Sequence, residues 1–543
     1  MLDLVLKNGR IVDGSGNPWY RGDVGVKDGR IAAVGRIDEE AAATVDVRGQ
    51  VIAPGFIDGH CHSDLMILDH PLSEIKLSQG VTAEVVGNCG LAPAPVFPDR
   101  EELLRSYISP VIGSTKQDWQ WNTVGEYMNY VGRSAPAEHM ATYVAHGALR
   151  IAVMGFDNRP ATPAELQRMK ELLEEGLRAG AIGLSIGLLY SPGSYTSKEE
   201  LAELCSVLPR YDGLLSTHIR GEGNNLLPSV REVIWIAEQA GIPLHVSHLK
   251  AAGKANWGKA LEAMELVEDA RARGMDVTVD VYPYNAGSTS LTTILPPWVL
   301  EGGIPGALEA FRDPALRRRI REELGREQDD WDNLVCSTGW QSVFVASASG
   351  ANAGLEGKHI AEIAEARGVH PADCMMDLLL EEDGQVPIVY FHMSDDDVRQ
   401  VIGYSRSLIA SDSLTCETGM PHPRLYGTFP RVFAKYVREE RVLTLEDAVR
   451  KLTSFPVQRF RLGKRGLIVP DYAADLVVFD PDTIRDTATY SEPKQQPEGI
   501  STVVVAGRIA MQDGAHTGAR GGGFLRASSC ACGHGYAHGG AGR

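Results

Sequence analysis

Cysteine is sparse. Eight residues are scattered over 543, too few and too dispersed for a disulfide framework, although Cys530 and Cys532 form a local pair near the end. Reduced thiols are expected, so a cysteine in a special place is more naturally a ligand or a nucleophile. Long apolar runs are missing as well: none reaches the ~18 residues of a membrane span. The opening MLDLVLKNGR lacks the basic and then apolar regions of a secretory signal, and a cytoplasmic protein without a membrane partner is expected. Basic charge is in deficit, with 53 Lys and Arg against 71 Asp and Glu and a net charge of -18. That balance disfavours nucleic acid, whose phosphates need a cationic face, and points to a small-molecule partner. A homo-oligomer is compatible with the composition. What is present is 43% hydrophobic content, ample for a large core and more than one domain.

The first fifty residues read as short alternating strands, with LDLVLKNGRIVDG turning at Asn8-Gly9 and DVGVKDGRIAAVG at Asp28-Gly29. The same pattern returns in ADLVVFD and in ISTVVVAGRIAMQDG, where Ala506-Gly507 separates two β-branched runs. The two ends are therefore expected to build one small β-sandwich from residues 1–54 and 459–526. Between them, helical stretches alternate with apolar strands, as in PAELQRMKELLEEGLRAG before AIGLSIGLLY, and KALEAMELVEDARARG before MDVTVDVYPY. Repeated β/α units over roughly 400 residues predict an α/β fold, a TIM-like (β/α)8 barrel across 55–458. An insertion at about 285–333 contains TTILPPWVLEGGIPGALEAF and RRRIREELGREQDDWD. It reads either as a lid-like cover over the barrel mouth or as a helical excursion. The final stretch, 527–543, is ASSCACGHGYAHGGAGR, and its low complexity predicts disorder.

In GFIDGHCHSD, His60 and His62 occupy alternate positions. On a strand both rings face one way and can grip one ion; the alternative is a pair of hydrogen-bonded histidines at a strand end. Four more strand-like runs end in suitable groups: TAEVVGNCG in Cys89, LLSTHIRGEG in His218, IPLHVSHLK in His248 and SLIASDS in Asp412. In a parallel barrel such ends converge on one mouth. His245 falls on the face opposite His248 and reads as a packed or surface histidine. Arg220, two residues after His218, points into the mouth as support for a ligand. His146 in YVAHGALR reads as a hydrogen-bonded structural histidine. Cys416 has no recognisable base partner and reads as structural. The tail's Cys530, Cys532, His534 and His538 sit on a glycine-rich background without a preformed metal cage.

Together GFIDGHCHSD, GVTAEVVGNCG, STHIRGEG, SHLK, SDS and PHPRLYGTFPR resemble the amidohydrolase superfamily and, within it, the N-acyl-D-amino-acid deacylases, or D-aminoacylases. The resemblance runs from the first hairpin to about Arg526. The His-x-His opening marks the superfamily, whereas GNCG, SHLK and PHPR mark the branch. Hydantoinases and dihydroorotases bridge two metals with a carboxylated lysine on the fourth strand. The candidate for that strand, AIGLSIGLLY, has no lysine; the branch it resembles uses a cysteine thiolate, which matches Cys89. The resemblance implies a zinc held most tightly by Cys89, His218 and His248, with His60, His62 and Asp412 able to hold a second, weaker one. It implies Asp412 as the proton shuttle in hydrolysis of N-acyl-D-amino acids to a carboxylate, such as acetate, and a free D-amino acid. It also implies Lys250 on the substrate carboxylate, with Tyr190, Tyr282, Ser288 and Arg424 around it. The segment LTTILPPWVL carries no cation before Arg312, so neutral or hydrophobic side chains are expected. The rival readings are a cyclic-amide hydrolase, which predicts the fourth-strand lysine, and a non-catalytic scaffold, which predicts lost ligands.

Overall fold

Eight parallel strand positions carry the centre of the chain: Phe56–Asp58, Val81–Val86, His139–Thr142 continued by Val144–Ala145, Gly183–Gly187, Leu214–His218, Leu244–Val246, Val277–Val281 and Ser407–Ile409. They belong to a computed structural model that describes residues 1–414 and 418–527; Cys416 and the cysteines and histidines of the tail lie outside the described residues. The strands pair in sequence order, the first three in one stretch and the third's continuation through the eighth in another. The result is a (β/α)8 barrel. Its strands read as unbroken buried runs, such as LLSTH and VTVDV, because helices outside and side chains inside cover both faces. Past the ends of the first and eighth strands, Cys61–His62 pairs in parallel with Ser413–Leu414, which closes the ring at the mouth.

The helices form where the local chemistry asks for them. Pro163–Ala179 starts at Thr162, whose hydroxyl accepts from the Glu165 N–H while the Glu165 side chain returns to the Thr162 backbone. Pro163 fits the first turn, and Met169, Leu172, Leu173 and Leu177 form the buried stripe. Gly180, at φ 107°, ends the helix.

Both chain ends enter one nine-stranded sheet, in which Leu476–Phe479 runs antiparallel to Val51–Pro54. Its own apolar cluster mixes Leu4, Val24 and Ile52 with Leu476 and Val504. A third unit interrupts the barrel after its seventh strand. Ala286–Ser290, Pro387–Phe391 and Val343–Val345 form an antiparallel sheet over a separate core running from Leu291 to Tyr390. This unit extends well past the expected limit of 333. Helices Ile360–Arg367 and Pro371–Glu381 pack on its core, and helical periodicity alone does not reveal on which core a helix packs. Among the described residues, no helix is long and apolar enough to cross a membrane.

A buried ion cluster joins the β-domain to the barrel. Asp475, before Leu476–Phe479, meets His139 of the third barrel strand at 3.3 Å, the Arg465 guanidinium, and the Ala506 N–H. Burial would raise its carboxyl, but His139, its hydrogen bond and Arg465 bring it down to about 2. A depressed carboxylate stabilises the fold above the ordinary pKa near 4, and that contribution fades as pH falls through the folded value. Asp475→Asn should therefore be ~2–3 kcal/mol less stable than the parent at pH 7, with the gap narrowing between about pH 4 and pH 2. Urea midpoints at pH 7, 4 and 3 read this directly, and a gap independent of pH would contradict it.

Candidate metal centre at the barrel mouth

His60 follows the first strand, Cys89 the second, His218 ends the fifth, His248 follows the sixth and Asp412 the eighth, so barrel closure brings together residues up to 352 positions apart. All are buried. Cys89 Sγ lies 3.2 Å from His60 Nε2 and 3.5 Å from His248 Nε2. Asp412 Oδ1 lies 3.2 Å from His62 Nε2 and 3.4 Å from His60 Nε2. The His218 and His248 rings meet edge to face with centroids 4.3 Å apart. Three overlapping sets of donor atoms each fall within 4.8 Å: His60, Cys89 and His248; His60, His62 and Asp412; and His218, Glu222 and His248.

Two observations fit a divalent ion. The buried His218 makes no well-directed ring hydrogen bond among the described residues, its Nε2 lying 3.5 Å from Glu222 Oε1, and coordination would satisfy it. Cys89, His248 and Asp412 take left-handed backbone, with φ of 54°, 33° and 48°. Such strain persists where surrounding contacts impose it and gathers at functional sites. Here the His248 N–H donates to Asp280 Oδ1 at 2.7 Å and the Asp412 N–H to the His60 carbonyl at 2.7 Å.

Electrostatics makes the donors ligands. Burial alone would raise the Cys89 thiol, but the His60 and His248 rings pull it well below its ordinary value, toward the thiolate that metals bind. Asp280 accepts from the His248 backbone and sits 3.1 Å from His60 Nδ1 and 2.8 Å from His245 Nε2. Despite burial, His60 and the His245 hydrogen bond keep its carboxyl far below the usual range. Glu222 lies 3.1 Å from His248 Nδ1 and 2.5 Å from Lys250 Nζ. Against burial, Lys250 and His218 hold it well below the carboxylate range. Asp280 and Glu222 thus orient His60 and His248 as carboxylates orient ligating imidazoles. Sequence reasoning passed over both. Glu222 lies within the quoted STHIRGEG and Asp280 is the lone charge in VTVDV; a charge inside an apolar strand was the available signal.

The remaining expected residues gather around this set. Lys250 and the fully buried Arg424 flank Tyr282, with Nζ 5.7 Å and the guanidinium carbon 4.5 Å from its ring centroid. Arg424 pairs with Asp412 Oδ2 at 2.9 Å and donates to the Ser288 carbonyl at 3.1 Å. The Ser288 hydroxyl is taken by the Ile388 carbonyl at 2.8 Å. Tyr190 packs its ring on His218 at 4.8 Å and places its hydroxyl 3.3 Å from Thr289 Oγ1. Arg220 differs from expectation: it bonds Glu232 and the Ser194 and Thr196 carbonyls, bracing the loop after the fourth strand rather than a ligand. His245 is interior, not at the surface. His146 is buried with both ring nitrogens without a hydrogen bond among the described residues, and burial plus Arg150 push it down to about 3, which keeps it neutral.

A parallel barrel whose mouth offers overlapping thiolate, imidazole and carboxylate donors defines the class. The comparisons agree, and the chain belongs to the amidohydrolase family, whose pattern matches residues 43–511. The D-aminoacylase of Alcaligenes xylosoxydans xylosoxydans is 35% identical over 528 residues, covering 96% of this chain and 97% of that one. The crystal structure of N-acyl-D-glutamate deacylase from Bordetella bronchiseptica, complexed with zinc and a phosphonate inhibitor mimicking the tetrahedral intermediate, superposes with a TM-score of 0.82 at 33% identity, covering 97% of this chain and all of that one. A D-aminoacylase structure described for its binuclear metal centre gives 0.81 at 34% identity with the same coverage.

If Asp280 fixes His60 and the His248 backbone, Asp280→Asn should weaken divalent-ion binding ~10–100-fold while the chain still folds. Metal titration followed by calorimetry measures it; unchanged affinity would contradict the orienting role.

Proposed function

We propose that this protein hydrolyses the amide bond of N-acyl-D-amino acids with neutral or hydrophobic side chains, giving a carboxylate such as acetate and the free D-amino acid. The observation that carries the reading is the Cys89 thiol, 3.2 Å from His60 and 3.5 Å from His248, together with a fourth strand, Gly183–Gly187, whose sequence GLSIG holds no lysine. That pairing is the mark of the deacylase branch, and it disfavours a cyclic-amide hydrolase. The retention of His60, His62, Cys89, His218, His248 and Asp412 disfavours a scaffold.

In this reading Cys89, His218 and His248, which span two donor sets that share His248, would hold one zinc tightly, and His60, His62 and Asp412 would hold a second more weakly. Bound there, zinc acidifies water toward neutrality and polarises the amide carbonyl. Asp412 takes the proton of the attacking water and returns it to the leaving nitrogen, acting as base and then acid. Arg424 keeps it ionised, as a proton acceptor must be: burial would raise the Asp412 carboxyl, but the guanidinium and the His62 hydrogen bond hold it well below its usual range. Lys250 has three ammonium protons. One goes to Glu222, whose carboxylate also accepts the His248 Nδ1 proton, which leaves ammonium protons for the substrate carboxylate. The hydroxyls of Tyr190 and Tyr282 and the Arg424 guanidinium complete that end of the pocket, whereas Ser288, its proton given to the Ile388 carbonyl, is a weaker member. Beside Tyr190, Leu91, Val111, Phe156, Leu295, Leu300 and Ile304 line a cavity without a lysine or arginine, which supports an apolar rather than an acidic group on the substrate.

A screen of N-acetyl amino acids in both enantiomers should show zinc-dependent release of acetate from D-methionine- or D-leucine-type substrates and little from their L forms or from D-glutamate; an inert zinc-loaded protein, or one that opens hydantoin rings instead, would overturn the reading. Asp412→Asn should keep the tight zinc and lower kcat ~10²-fold or more; undiminished turnover would remove Asp412 from the mechanism. Lys250→Ala should raise KM with zinc still bound, and loss of zinc would show that its main role is to hold the ligands.

A further inference from the structure

Beside the donor set lies a second buried ionic group that the proposed reaction does not use. Lys76, on the short helix Glu74–Leu77, is fully buried. Its Nζ lies 2.7 Å from Asp58 Oδ2 and 2.5 Å from Glu84 Oε1, on the first and second barrel strands. The carboxylates of Asp58 and Glu84, with Cys61, have the spacing of a cation cage, and the ammonium group fills it. The same ammonium donates to Ser413 Oγ at 3.0 Å and to Ser411 Oγ at 3.4 Å. Asp58 accepts from the Ser411 N–H at 2.9 Å and from the Ser411 hydroxyl at 2.5 Å, and the Ser413 N–H donates back to Ser411 Oγ at 3.1 Å. Both neighbours of Asp412 are thereby fastened to one ammonium and its carboxylates, across the seam between the eighth strand and the first.

Stability is a poor reason for this group. Removing an ammonium and two carboxylates from water costs several kcal/mol per ion, and apolar residues of similar volume commonly serve a core as well or better. What apolar residues could not do is hold two serines in fixed directions around a left-handed aspartate. Lys76 is 0% exposed and Asp412 7%, so the fastening is shielded from water.

We propose that Lys76 is a positioning residue: through Ser411 and Ser413 it sets the backbone of Asp412 so that the carboxylate reaches His62 on one side and Arg424 on the other. The inference rests on the reading of Asp412 as proton carrier and weaker-metal ligand. Because Lys76→Met strands two buried carboxylates and can fail to fold, Ser413→Ala is the sharper variant: it removes the direct Lys76–Ser413 link and keeps the ion pairs and the Ser411 bonds. Ser413→Ala should lower kcat about tenfold with KM within about twofold. Zinc titration should still show the first equivalent bound tightly and the second weakened about tenfold. In an Asp412→Asn background the same change should cost no further turnover, since residues acting as one unit are not additive. A loss of turnover that adds in full to that of Asp412→Asn, or a Ser413→Ala protein with unchanged kcat and unchanged second-zinc affinity, would overturn the proposal. The titration reads this loop independently of substrate, so a wild-type chain that cleaves no N-acyl amino acid would overturn the function alone.

Discussion

The structure at the barrel mouth depends on one contact, the Cys89 sulfur lodged between the imidazoles of His60 and His248 at 3.2 and 3.5 Å. A thiol in an apolar interior keeps its proton, and burial raises even the nearby Cys61 well above its ordinary value. Cys89 goes the other way because the His60 and His248 rings beside it favour the thiolate, and the far nitrogens of those rings are held by carboxylates. His60 Nδ1 is held by Asp280 and His248 Nδ1 by Glu222. The thiolate, the two rings and the two acids form one alternating chain of charge, and removing any link leaves a buried ion without its partner.

That chain explains how the barrel divides its labour. Residues that can meet a ligand or an ion come from strand ends and from turns past them, where backbone can take the left-handed angles of Cys89, His248 and Asp412. Residues that orient them come from inside the strands or from the turn beyond: Asp280 within Val277–Val281, and Asp58 at the end of Phe56–Asp58. Strand backbone is fixed by pairing on both sides, so a carboxylate placed there has little freedom, which suits a group whose task is to hold another in place.

The same division decided what the sequence could reveal. His60, His62, Cys89, His218, His248 and Asp412 were legible because each ends an apolar run, and the barrel rule turns such ends into neighbours. Asp280, Glu222 and Lys76 were not, because their roles depend on which side chains face them across strands, and residue type carries no such information. Alternation misled where the chain leaves the strand: Arg220 lies beyond Leu214–His218, so its parity with His218 says nothing of its direction, and it turns to Glu232. The inserted unit was underestimated for a related reason. Its closing strand, Pro387–Phe391, pairs with Ala286–Ser290 about a hundred residues earlier, and its helices share the periodicity of barrel helices.

Charge balance gives the site a preference that no single residue states. Both cations near the expected substrate position already have carboxylate partners, Lys250 in Glu222 and Arg424 in Asp412. One incoming carboxylate can share the remaining donors of these two pairs around Tyr282. A second negative charge, on an acidic side chain, would enter a buried region whose positive charge is already matched, beside an apolar wall formed in part by Leu295, Leu300 and Ile304 of the inserted unit. Desolvating that charge without a partner costs several kcal/mol, more than the ~1–3 kcal/mol by which an apolar pocket separates one hydrophobic side chain from another. Discrimination against acidic substrates is therefore expected to be steep, and discrimination among neutral ones shallow.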